Sequence, residues 1–125
     1  MLNNPIQQYK EQSIVTMSKG EQLVALFDEA LKNLHYGSMM LKNEKYVTSA
    51  KCTLKCKNIF SYLSAILDQQ YPVSGDLNEL YCFFNQQIEK AEISKDAEIL
   101  DKLVPVVENM KDTWVQAEKL CHMNK

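Results

Sequence analysis

Cys52 and Cys56 stand four residues apart, and Cys121 is followed directly by His122. Thiolates and imidazoles are what zinc takes, so two helices that brought these four side chains together would supply a tetrahedral set. The spacing argues for another use. It lacks the Cys-x-x-Cys knuckle, and Cys52 and Cys56 fall in helical phase with Ile59, Leu63 and Ile66, as Cys121 does with Trp114. A free cysteine in such a stripe behaves as a small buried hydrophobe. A disulfide within one helical turn is disfavoured by its geometry. A di-metal carboxylate site needs Glu-x-x-His on two helices, but Lys32 precedes His35 by three and Lys119 precedes His122 by three. Two histidines offer no base held against a serine or cysteine. Gly20, Gly37 and Gly75 are isolated, so no glycine-rich loop cradles a phosphate. His35 lies at the edge of an apolar stripe, and Trp114 has the position of a core anchor. These residues predict neither an enzyme nor a metal or cofactor.

The 125 residues suffice for one domain with a real core. The net charge is −2, and all fourteen basic residues are lysines scattered among acids. Phosphate and guanine recognition draws on the arginine fork, so nucleic acid is not an expected partner. No stretch is apolar for long enough to insert in a membrane. The start Met1-Leu2-Asn3-Asn4-Pro5 lacks a signal-peptide pattern. With four cysteines, that predicts free thiols in a reducing cytoplasm.

The elements that position these residues read as helices. Three glycines and three prolines amid abundant Leu, Ala, Glu, Lys and Gln favour helix. Residues 1–17 carry no long period and are expected to form a mobile arm, with residues 18–121 a bundle domain and 122–125 a tail. Ser18 and Glu21 have capping-box spacing, and Leu23, Leu26, Phe27, Ala30, Leu31, Leu34 and Leu41 then keep helical period, predicting helix one over Lys19 to Lys42. After Asn43-Glu44, helix two is expected from Lys45 to Gln70, ending at the turn chemistry of Tyr71-Pro72-Val73-Ser74-Gly75. Asp76 is the expected N-cap of helix three, whose stripe is Leu77, Leu80, Tyr81, Phe84, Ile88 and Ala91. Helix four starts near Asp96 and carries Ile99, Leu100, Leu103, Val106, Val107, Met110, Trp114, Ala117 and Cys121, with Val104 and Val115 off the stripe and a kink expected before Pro105. The fold class is all-α, an antiparallel four-helix bundle with a short N-terminal arm.

Helix two has apolar residues on two sides: besides the stripe of Cys52, Cys56, Ile59, Phe60, Leu63, Ile66 and Leu67, it carries Val47, Ala50 and Leu54. A helix apolar most of the way round is either central to its fold or offers a face to a partner. The residues alone leave both open, along with a helical adaptor or a homodimer joined through such faces.

Asn4-Pro5 with Tyr9, Thr16-x-Ser18, the run Leu26-Phe27-Asp28-x-Ala30-Leu31, Leu80-Tyr81 and Asp112-x-Trp114, in this order and helical context, resemble the flagellin export chaperone family, FliS, over nearly the whole chain. The resemblance implies a cytoplasmic bundle that binds the disordered carboxy-terminal segment of flagellin in hydrophobic grooves. Such a protein prevents premature polymerisation and passes its client to the type III export apparatus, with a co-chaperone as a further partner. It places Ile6 and Tyr9 on an arm that covers part of the surface as a lid. It puts Val47, Ala50, Leu54 and Leu63 of helix two, and Leu77, Leu80, Tyr81 and Phe83 of helix three, in the groove. The chain departs from the family at Ile6, where tyrosine is frequent, at Gln86-Gln87, where an arginine pair is frequent, and at Pro105.

Overall fold

The computed structural model describes residues 19–70 and 72–123, so the expected arm with Ile6 and Tyr9 lies outside the described residues. Four helices follow one another: α1 (Lys19–Lys42), α2 (Tyr46–Ala65), α3 (Val73–Ser94) and α4 (Ala97–Met123). Each packs on its neighbours in sequence, and α4 closes the ring on α1. Cross-links give the directions. Ser38 and Lys42, late in α1, reach Asp101, early in α4, while Asp28 meets Lys111 further along. These pairs make α1 and α4 antiparallel. Lys57 bonds Glu92 at 3.3 Å and Ser64 bonds Asn78, so α2 and α3 are antiparallel too.

The core follows the 3.6-residue period on each helix. Phe27, Ala30, Leu31, Leu34 and Leu41 come from α1, and Cys56, Phe60 and Leu63 from α2. Tyr81, Phe84, Ile88 and Ala91 come from α3, and Leu100, Leu103, Val104 and Val107 from α4. At its centre the rings of Phe27, Phe60, Tyr81 and Phe84 form a cluster with centroids 5.0 to 6.4 Å apart. Val104, expected off the stripe of helix four, belongs to this core, whereas Val106 is exposed. The buried stripe Leu100, Leu103, Val104, Val107 has i, i+3, i+4, i+7 spacing, which leaves Val106 turned away.

The turns differ from expectation at one place. α2 ends at Ala65 rather than Gln70, because Asp68 bonds the backbone of its own loop: its Oδ1 accepts from the Gln70 N–H at 3.0 Å, and its carbonyl accepts from the Ser74 hydroxyl. α3 begins at Val73, with Asp76 inside its first turn and not at the cap. Pro72, already helical at φ −58°, starts the helix that the sequence pattern delays, since its fixed φ suits a first turn. Between α3 and α4, Lys95 adopts the left-handed conformation at φ 57° and Asp96 accepts the Glu98 N–H at 3.0 Å as a cap. α4 runs on through exposed Pro105 to Met123.

Candidate binding surface

On the first half of α2 the usual distribution of polarity is inverted. Ser49 and Thr53 are buried, while Val47 and Leu54 are 73% and 53% exposed and Ala50 lies open between them. The inside can be polar because α1 comes close. A Cβ on Gly37 would meet Cys52 and Thr53 carbons at 3.4 Å, so large side chains have no room. The polar groups are satisfied locally: Ser49 donates to the Gly37 carbonyl at 3.0 Å, Thr53 to the Ala50 carbonyl at 3.1 Å, and Cys56 to the Ala30 carbonyl at 3.3 Å. The bundle therefore closes without Val47, Ala50 and Leu54. Their exposure answers the question of two apolar faces: α2 packs on α1 and α3 and is not surrounded.

Beside this stripe a groove of about 260 Å³ opens between α2 and the end of α3, lined by Leu41, Tyr46, Ala50, Glu92, Ile93 and Lys95 among others. Ile93, 77% exposed, and Tyr46, with the Lys95 ammonium 4.7 Å from its ring centre, extend the apolar area. The sequence pattern misses both. Ile93 is out of phase with Ile88 and Ala91, and only the antiparallel pairing of α2 and α3 brings the two helix ends together.

The expected groove residues do not form one surface. Leu63, 1% exposed, and Tyr81, 2% exposed, are core residues and are not available to a partner. Both lie on the core stripe of their own helix, Leu63 about 180° around α2 from Leu54, and only the resemblance assigned them to a groove. Burial pushes the pKa of the Tyr81 hydroxyl up, and the Trp114 side chain on α4 offsets part of that rise. Leu77 is half-buried against the core. Leu80 and Phe83 are exposed, but elsewhere. Asn78, Asn85 and Glu92 mark the side of α3 that faces α2, through bonds to Ser64, Ser61 and Lys57. Leu80 and Phe83 sit about 140° and 160° around the helix from Asn85. They form a second patch on the side away from α2. A third apolar hollow, of about 380 Å³, is lined by Leu23, Leu26, Tyr62, Ile66 and Gln22 between α1 and α2.

Cys56 is a core residue, its thiol pushed up to about 12 by burial, and so suited to packing and not to nucleophilic or ligand chemistry. Among the described residues no three His, Cys, Asp or Glu side chains converge as a metal site. The side chains of Cys121 and His122 lie outside the described residues. No described helix is long and apolar enough to cross a membrane.

Residues 2–120 match the family described as flagellar protein FliS. This chain belongs to the FliS family. The flagellar secretion chaperone FliS of Bacillus subtilis (strain 168) is 23% identical over 116 residues, a match that covers 93% of this chain and 87% of the relative. Within the FliS match fall all four helix cores and the three apolar surfaces described above.

Proposed function

We propose that this chain, a flagellar export chaperone by its family, takes the disordered carboxy-terminal segment of flagellin as its client in the cytoplasm. It lays successive pieces of that segment on separate apolar faces, blocks premature polymerisation and releases the client at the type III export apparatus. The reading involves no catalysis and no cofactor. The observation that supports it most is the inverted α2 helix, with Val47, Ala50 and Leu54 outside and Ser49 and Thr53 inside.

Energetics favour several docking points. Ordering a flexible client costs roughly 1–2 kcal/mol per residue, and burying a large apolar side chain returns about 1.5–3 kcal/mol. Two or three anchors do not hold a long segment, so the α2 stripe and the Leu80–Phe83 patch on α3 serve together. The amino-terminal arm, through Ile6 and Tyr9, competes for part of this surface and assists release. Calorimetric titration of the chain with a carboxy-terminal flagellin fragment, with backbone NMR of both partners, tests the reading. Stoichiometric binding with the fragment gaining helix is expected. No binding at tens of micromolar, weaker than about −6 to −7 kcal/mol, removes flagellin as the client.

A further inference from the structure

We infer that the α2 face is specific for an acidic amphipathic helix. The inference rests on the reading that this face receives a client, and adds the charge and conformation of the docked segment.

The charge of α2 is one-sided. Between Tyr46 and Ala65 it carries Lys51, Lys55 and Lys57 and no acidic residue, in a chain whose net charge is −2. Lys57 is engaged by Glu92 at 3.3 Å. Lys51 and Lys55 are exposed and form no ion pair among the described residues. At about 100° per residue, Lys51 lies about 40° from Val47 and Lys55 about 100° from Leu54, both on the α1 side of the apolar stripe. At the far end Lys95 lines the groove with Tyr46, Ala50 and Ile93. The acids nearby include Glu92, already paired, Glu89 one turn before it on α3, Glu44 in the turn before α2, and Asp96, which caps α4 beside Lys95. The α3 patch has the opposite surroundings, since Asp76 and Glu79 accompany Leu80 and Phe83. The two faces therefore select segments of different charge and fix which part of a client lies where.

A helix suits the α2 face because Val47, Ala50 and Leu54 form a straight i, i+3, i+7 stripe about 10 Å long, the footprint of another helix with leucine-like residues at the same spacing. The groove beside Ala50 accepts one of those side chains. Acids flanking the partner's stripe would meet Lys51, Lys55 and Lys95. A second copy joined symmetrically through this face would instead set α2 lysines against one another.

The test uses two synthetic amphipathic peptides of about five helical turns, identical in their leucine stripe, one flanked by glutamates and the other by lysines, titrated into the full chain. The glutamate peptide is expected to bind about tenfold tighter or more, to weaken with added salt, and to shift the amides of Val47, Ala50, Leu54 and Ile93. In the Lys51→Glu/Lys55→Glu variant the preference should invert, a gain of binding that misfolding cannot produce. Equal binding of both peptides, failure to invert, or shifts centred on Leu80 and Phe83 overturn the inference. So does self-association in sedimentation that Leu54→Glu abolishes. The flagellin fragment, run in parallel, separates the two readings. Loss of fragment binding with the peptide preference intact supports the acidic-helix specificity and removes flagellin. Fragment binding without any peptide preference does the reverse.

Discussion

Truncating both exposed α2 residues, in Val47→Ala/Leu54→Ala, should cut client affinity far more than it cuts stability. The double variant removes two carbons at Val47 and three at Leu54. With about 0.8 kcal/mol per buried methylene and the 73% and 53% of each residue still open to a partner, a client that covers both loses about 2–2.5 kcal/mol of binding. That is about 30- to 70-fold in Kd. In the free protein only the covered portions are lost, and the better helix propensity of alanine offsets part of them. The net cost to folding is under about 1 kcal/mol. Leu63→Ala is the contrast: at 1% exposure it should cost about 2–5 kcal/mol of stability through the cavity it leaves. Calorimetry with the flagellin fragment, beside urea unfolding of each variant, gives both quantities. A double variant that binds within about threefold of the parent, or loses as much stability as affinity, would refute the assignment of this stripe to a client.

Further outcomes are expected at other positions. Phe83→Ala, at a half-exposed ring packed on Phe84, should weaken fragment binding more than folding, and equal losses in melting and affinity would return Phe83 to the core. Deletion of Met1 to Ser13 should leave the bundle folded and raise affinity for the fragment, whereas unchanged affinity in calorimetry argues against a competing lid. In thiol labelling near pH 8, exposed Cys82 should react readily while Cys56 reacts only on unfolding. Because the Cys56 pKa rises from 9.0 to about 12 on folding, its contribution is fully present below about pH 9 and is lost as the pH climbs toward 12, and a Cys56→Ser variant should lack that decline. Asp101 is held below its ordinary 3.8 by hydrogen bonds from Lys42 and then Ser38. Its contribution, under about 1 kcal/mol for so exposed a pair, is present above that value and disappears as the pH falls through the lowered one. Asp101→Asn should remove that step from the acid limb of an unfolding curve measured against pH.

Before any packing is known, the sequence determines four helices and most of their core, because the 3.6-residue period of Phe27, Leu34, Phe60, Phe84, Ile88, Leu100 and Val107 is imposed by burial on one side. It also marks Val47, Ala50 and Leu54 as a second face, since residues on a different helical phase cannot share the first. Tertiary structure decides the rest. Leu63 and Tyr81 lie on the core stripes of their helices, and their burial against the other helices removes them from the partner face to which the resemblance assigned them. Ser49 and Thr53 look like surface residues until the close approach of α1 at Gly37 supplies carbonyl partners and excludes larger side chains. Ile93 and Tyr46 become neighbours through antiparallel pairing, and Leu80 and Phe83 leave the α2 groove because α3 is rotated to put Asn78, Asn85 and Glu92 toward α2. The sequence determines which residues are apolar and how they repeat. The rotation of each helix about its own axis, which decides which of them remain open to a partner, is set by contacts between residues far apart in the chain.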